Sequence, residues 1–134
     1  MKIVCATNMP FVEEAFRTLG ETVLREGRAI TAADARDADI LAIRSTTRVD
    51  RALLAGSRVR FIGTATIGID HLDIPLLERR GIGWCYAPGC NANSVAEYVT
   101  AALLILGQRH GFSLAGLSLG IIGVGNVGSR VAEN

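Results

Sequence analysis

Short apolar runs alternate with amphipathic helical patterns along most of the chain, and this alternation limits the possible folds more than any other feature. The run at residues 40–43 has four consecutive apolar residues, as expected of a parallel strand buried on both faces. The pattern therefore predicts an α/β fold built on a parallel sheet. The predicted strands are residues 2–6, 22–24, 40–43, 60–63 and 82–87.

Helix start and stop signals lie between and after these strands. Asp50 and Asp73 are placed to cap two short helices, in addition to predicted helices that begin near residues 10 and 32. Ser94 and Glu97 have the spacing of a capping box before the apolar segment 95–106, which predicts a helix buried on several sides. Gly111 follows that helix, and we place the domain boundary there.

The composition is that of one globular domain without an extended charged surface. The 134 residues are 49% hydrophobic and 20% charged, which argues against intrinsic disorder. A net charge of +1 provides no general attraction for nucleic acid or an anionic membrane. Three cysteines without close Cys or His pairing argue against a disulfide framework and a zinc site, so no metal is predicted. With no signal peptide or membrane-length apolar stretch, we expect a cytoplasmic protein.

A glycine motif, G-x-G-x-x-G, follows the apolar run 119–122, which is predicted to be a strand. Such glycines allow a tight turn, approach of a pyrophosphate to the backbone, and close packing of helix on strand. In proteins with this motif, an acidic residue about 20 residues later binds the ribose hydroxyl of NAD and so separates NAD from NADP. That position lies beyond residue 134, so this sequence does not distinguish the two cofactors. An ordinary turn with fortuitous glycines is the alternative interpretation. The predicted cofactor-binding residues are Gly123, Gly125, Asn126, Val127 and Gly128.

Polar loops follow three of the predicted strands, at residues 44–46, 64–66 and 88–91. Carboxyl ends of parallel strands share one edge of a sheet, where α/β proteins bind ligands, and hydroxyl groups there suit a small oxygen-rich anion. Ser45 and Thr66 are the candidate ligand-binding residues, with local turn hydrogen bonding as the alternative. Arg44 suits either a phosphate or a surface carboxylate.

Three further reactive side chains receive structural interpretations. Asp70 and His71 are adjacent in sequence, and adjacent residues do not face each other on a helix. A place at the start of a helix or a local hydrogen bond therefore explains this pair better than acid–base catalysis does. Cys90 has no nearby base in the sequence and is predicted to be a buried small hydrophobic residue. No catalytic residue is predicted in this chain.

Several segments together resemble the D-2-hydroxyacid dehydrogenase family, in order and spacing, over the whole chain. They are Asn-Met-Pro at 8–10, Arg-Ser-Thr-Thr at 44–47, Gly-Thr-Ala-Thr at 63–66, Asp-His at 70–71, Ala-Pro-Gly-Cys-Asn-Ala at 87–92 and Gly-Phe-Ser-Leu at 111–114. The resemblance implies a flavodoxin-like substrate domain at residues 1–111, followed at 112–134 by the start of a truncated Rossmann domain. It also implies that Ser45 and Thr66 contact the substrate.

The function implied by the resemblance is that of an NAD-dependent oxidoreductase acting on a small phosphorylated hydroxy acid, assembled as a homodimer. The family's catalytic arginine, glutamate and histidine would come after Asn134, so we expect the 134-residue chain alone to be inactive. Two alternatives stay open. One is a different member of the family, such as a phosphoglycerate dehydrogenase, and the other is a binding or dimerisation module without catalytic activity.

Overall fold

A single parallel sheet forms the first part of the protein. The computed structural model describes residues 1–134, which form two compact units, Met1–Ala87 and Pro88–Asn134. The sheet lies in the first unit and its strand order is β2-β1-β3-β4-β5, with every neighbouring pair parallel. This is the flavodoxin-like order, which confirms the predicted fold class. The strands are β1 (Lys2–Ala6), β2 (Glu21–Arg25), β3 (Ile40–Ile43), β4 (Phe61–Thr64) and β5 (Gly83–Cys85).

Three short helices accompany the sheet: α1 (Val12–Phe16), α2 (Ala32–Arg36) and α3 (Ile74–Arg79). The predicted cap of α3 is confirmed, since the Asp73 carboxylate accepts a hydrogen bond from the Leu76 amide at 3.0 Å. The helix predicted after Asp50 is wrong. Residues 51–56 form hydrogen-bonded turns instead, although the Asp50 carboxylate accepts from two amides there as a cap would.

The core lies on both faces of the sheet because successive strand residues point to opposite sides. Val4 and Ala6 belong to one buried cluster, and Ile3 and Cys5 belong to the other. Burial on both faces explains why β1 and β3 consist of nearly continuous apolar residues. The larger cluster also contains Leu41, Ile43, Leu54, Ile62 and Leu77, and the smaller one contains Val12 and Ala42.

The second unit contains two helices, α4 (Ala92–His110) and α5 (Asn126–Glu133), which contact each other. Gly111 ends α4 in the left-handed conformation with φ 70°, as predicted. The predicted capping box at the start of this helix is wrong. The helix begins after Asn91, so Ser94 lies inside its first turn, where its hydroxyl donates to the Asn91 carbonyl at 3.0 Å.

Two predictions about apolar segments of the second unit are also wrong. Within α4 only Ala92, Ala96 and Gly107 are buried, whereas Tyr98 is 74% exposed and Leu104 is 58% exposed. Residues 119–122 form no strand, because the unit contains no other strand with which their backbone groups could pair. None of the helices is long and apolar enough to cross a membrane.

The predicted domain boundary at Gly111 differs from the division between the compact units, which falls between Ala87 and Pro88. The prediction concerns the domains of a longer protein, with residues 1–111 in one domain and 112–134 in the next. It stays a prediction.

Candidate functional site

The carboxyl ends of β3 and β4 lie side by side in the sheet. Ile43 pairs with Thr64 in the parallel register, so the loops that carry Ser45 and Thr66 leave the sheet from neighbouring positions on the same edge. The structure thus places these two predicted ligand-binding residues at one edge, as their positions after parallel strands indicated.

A chain of hydrogen bonds runs behind Thr66. The hydroxyl of Thr66 donates to the Gly68 carbonyl at 2.8 Å, and its oxygen lies 2.8 Å from the hydroxyl oxygen of Thr64. The Thr64 oxygen in turn lies 2.9 Å from Nε2 of His71. Thr64 is only 4% exposed, so the hydroxyl at the centre of this chain is shielded from solvent.

His71 is a partner of Thr64 rather than half of an acid–base pair with Asp70. Burial lowers the pKa of His71 from its usual 6.5, and the negative charge of Asp70 opposes that shift. The hydrogen bond to Thr64 agrees with the structural interpretation of the Asp-His sequence. Sequence reasoning did not connect His71 to Thr66, because residues 65–71, which follow β4, form a loop of irregular backbone.

Ser45 lies in a loop that side-chain hydrogen bonds hold to its neighbours. The guanidinium of Arg44 donates to the Asn8 carbonyl at 3.0 Å, and the Asn8 amide donates to the Thr46 hydroxyl at 3.2 Å. Thr47 is buried and donates to the Gly27 carbonyl at 2.7 Å. The loops that follow β1, β2 and β3 are therefore joined, and the Ser45 side chain is left exposed without a hydrogen bond of its own.

Arg44 forms no ion pair with a carboxylate, unlike Arg25 and Arg58 elsewhere in the unit. Its interaction with the Asn8 carbonyl is neither of the two roles considered from the sequence, phosphate binding or pairing with a surface carboxylate. The guanidinium has further N–H groups beyond the one donated to Asn8, so it can still bind an anion at this edge. Sequence reasoning missed the contributions of Asn8 and Thr47, which depend on contacts with residues far away along the chain.

The glycine motif forms a tight turn that leads directly into α5. Gly123 adopts a positive φ of 91°, and α5 begins at Asn126. A Cβ at Gly128 would collide with the Gly123 carbonyl, whereas a Cβ at Gly125 would meet nothing within 4 Å. The motif therefore has one glycine required for the turn, one beside open space and one required for close packing, as a pyrophosphate-binding turn needs. The first-turn amides of Asn126, Val127 and Gly128 have no partner within the helix.

The third polar loop, residues 88–91, belongs to the second unit. It lines a cleft of about 420 Å³ together with Asn126 and Arg130 of α5. Cys90 is exposed there, so its prediction as a buried residue is wrong. Position 89 favours glycine for two reasons: its φ is 71°, and a Cβ there would lie 3.1 Å from Cγ of Asn126.

Comparison with known proteins identifies relatives over the whole chain. The sequence profile described as "D-isomer specific 2-hydroxyacid dehydrogenase, catalytic domain" matches residues 2–133. The chain is 55% identical over 133 residues to an erythronate-4-phosphate dehydrogenase from Chromohalobacter salexigens and 52% identical over 133 residues to one from Azotobacter vinelandii. In both cases the match covers 99% of this chain and 35% of the relative. The chain thus spans about a third of the length of these curated relatives.

Solved structures show the same fold. The NAD⁺-bound 3-phosphoglycerate dehydrogenase of Entamoeba histolytica is 31% identical with a TM-score of 0.69, over 99% of this chain and 49% of that chain. The D-lactate dehydrogenase of Aquifex aeolicus, complexed with NAD and lactic acid, is 24% identical with a TM-score of 0.78, over 99% of this chain and 47% of that chain.

Proposed function

This chain belongs to the D-isomer specific 2-hydroxyacid dehydrogenase family, and we propose that it forms the N-terminal part of a 4-phosphoerythronate dehydrogenase. The proposed reaction is the NAD-dependent oxidation of 4-phospho-D-erythronate to the corresponding 2-oxo acid, in pyridoxine biosynthesis. The observation that carries the proposal is the identity of 50–55% with relatives named erythronate-4-phosphate dehydrogenase, which extends over 98–99% of the chain.

The substrate-binding residues in this proposal are Ser45 and Thr66. Ser45 is exposed and its hydroxyl has no partner in the protein, while Thr66 retains one unused lone pair. Arg44 supports a phosphorylated substrate because its guanidinium carries a full charge that no carboxylate neutralises, and its planar donors match the oxygens of a phosphate.

The cofactor-binding residues in this proposal are those of the glycine motif. Gly125 leaves space for close approach, and the free amides at the start of α5 suit a pyrophosphate. NAD held by these residues would supply the hydride acceptor for oxidation of the hydroxy acid. The base that takes the hydroxyl proton and the arginine that holds the carboxylate would lie beyond Asn134 by the family resemblance.

The remaining parts of the proposal concern organisation. Residues 1–111 would belong to the substrate domain and residues 112–134 would begin the Rossmann domain. Assembly as a homodimer is supported by the apolar surface that α4 exposes, including Tyr98, Leu104 and Ile105. The proposed location is the cytoplasm.

The test is formation of NADH from NAD and 4-phospho-D-erythronate, measured for the complete protein and for the 134-residue chain. We expect turnover by the complete protein and none by the chain, because by the family resemblance the acid–base residues would lie beyond Asn134. In the complete protein, Ser45→Ala and Thr66→Ala should raise the KM for the hydroxy acid more than the KM for NAD. The exposed residue Thr18 offers a control, and Thr18→Ala should change neither.

One alternative function has a specific observation in its favour. The 31% identity with a 3-phosphoglycerate dehydrogenase makes 3-phosphoglycerate the competing substrate. A higher kcat/KM for 3-phosphoglycerate than for 4-phospho-D-erythronate would refute the proposed substrate. Robust turnover by the 134-residue chain alone would refute the assignment of catalysis to residues beyond it.

A further inference from the structure

We propose that Thr64 and His71 are positioning residues that fix the Thr66 hydroxyl as a hydrogen-bond acceptor toward the ligand. The inference rests on the proposed function, in which Thr66 contacts the hydroxy acid. It deepens that function by specifying which group of the substrate Thr66 binds. That group is a hydroxyl, which can donate a hydrogen, and not a carboxylate or phosphate oxygen, which can only accept one.

The directions of the hydrogen bonds follow from counting hydrogens. The Gly68 carbonyl can only accept, so the single hydroxyl hydrogen of Thr66 is used in the 2.8 Å bond to Gly68. At its 2.8 Å contact with Thr64, Thr66 must therefore accept, and the hydrogen comes from Thr64.

The same count determines the form of His71. Because the Thr64 hydrogen is donated to Thr66, the Thr64 oxygen must accept at its 2.9 Å contact with His71. Nε2 of His71 therefore carries a hydrogen. The neutral Nε2–H tautomer and the imidazolium both satisfy this requirement. In the Nδ1–H tautomer Nε2 would accept, which would reverse the direction of the hydrogen bonds.

Burial makes this order persistent. Thr64 is only 4% exposed, so water has little access to replace either of its partners, and an unpaired hydroxyl there would be unfavourable. Thr66 lies at the more exposed end of this series of hydrogen bonds, and its hydroxyl oxygen has one lone pair left. A ligand hydroxyl can donate to that lone pair without breaking any bond, whereas an anionic oxygen has no hydrogen to donate and would be repelled by it.

The first experiment determines the tautomer of His71 by two-bond ¹H–¹⁵N NMR on the 134-residue chain. The chain has two histidines, and the exposed His110 serves as the internal control. Above pH 7.5 we expect His71 as the Nε2–H tautomer. Thr64→Val should change the tautomer balance of His71, whereas Thr64→Ser should keep the wild-type balance. Neither variant should affect His110. Finding the Nδ1–H tautomer in the wild-type chain would overturn the proposal without any variant.

In the proposed reaction the C2 hydroxyl gives its single hydrogen to the base, so the hydroxyl left to donate to Thr66 is the one at C3. The second experiment measures, by titration calorimetry without NAD, the dissociation constants of the complete protein for 4-phospho-D-erythronate and for its 3-deoxy analogue, which lacks only the C3 hydroxyl. Thr64→Val should weaken binding of 4-phospho-D-erythronate by about fivefold, the value of one hydrogen bond, and leave binding of the 3-deoxy acid unchanged. Thr64→Ser should retain wild-type preference. Equal weakening of both acids would show a merely structural role for Thr64 and overturn the proposal.

The two experiments also separate this inference from the proposed function. If the complete protein binds neither acid and does not oxidise 4-phospho-D-erythronate, the proposed function fails, and the ligand assignment to Thr66 fails with it. The NMR result would still decide the direction of the hydrogen bonds. If turnover is normal but His71 is the Nδ1–H tautomer, only the positioning proposal fails.

Discussion

Thr47→Val removes one buried hydroxyl from the loop that carries Ser45, with almost no change in side-chain shape. Thr47 is 3% exposed and donates to the Gly27 carbonyl at 2.7 Å. This bond joins the loop after β3 to the turn after β2, positions that are twenty residues apart in sequence. Valine keeps both branches at Cβ, so the variant tests the hydrogen bond rather than the packing.

The expected cost follows from the geometry. A short, buried hydrogen bond between neutral groups contributes roughly 1 kcal/mol net, and leaving its acceptor without that partner adds to the loss. We therefore expect Thr47→Val to lower the free energy of unfolding by about 1–2 kcal/mol. For a chain of this length, that corresponds to a decrease in Tm of about 4–8 °C.

The assay is urea and thermal unfolding followed by circular dichroism, with Thr46→Val as the matched control. Thr46 is exposed and only accepts a 3.2 Å bond from Asn8, so its substitution should cost less than about 0.5 kcal/mol. Equal stability of the Thr47 and Thr46 variants would refute the reasoning, because the buried and the exposed hydroxyl would then contribute alike.

Three further predictions test the remaining structure. Gly128→Ala should destabilise α5 and reduce its helical signal in circular dichroism, because its Cβ would collide with the first glycine of the motif, whereas Gly125→Ala faces open space and should retain the signal. Since burial lowers the pKa of His71, the unfolded chain binds a proton more tightly, and stability should fall as pH drops through about 6.5. Unfolding in urea at pH 8 and pH 5 measures this fall, and His71→Gln should reduce it; an unchanged pH dependence would contradict the assignment. Burial raises the pKa of Cys5 to about 11, so a thiol reagent at pH 8 should label Cys5 only after unfolding. Rapid labelling of all three thiols in the folded chain would contradict this; the two expected to react at once are Cys85 and Cys90.

The sequence by itself determined the fold class, the strands of the sheet and the shared edge at which the loops of Ser45 and Thr66 lie. Apolar runs such as 40–43 are local signals, and the parallel arrangement follows from their alternation with helices. Caps and turns that depend on one or two residues were equally readable, as at Asp73 and Gly111. The glycine motif was also predictable, because each of its glycines answers a local requirement of the backbone.

Only the tertiary structure decided which side chains meet. The bonds from Thr47 to Gly27 and from Arg44 to Asn8 join residues 20 and 36 positions apart, and no local pattern encodes such a pairing. The order of hydrogen bonds behind Thr66 likewise depends on the path of an irregular loop. The apolar run 119–122 shows the opposite case, because a strand forms only when a neighbouring strand can accept its backbone hydrogen bonds. Propensity is a property of the segment, whereas pairing and burial are properties of what surrounds it.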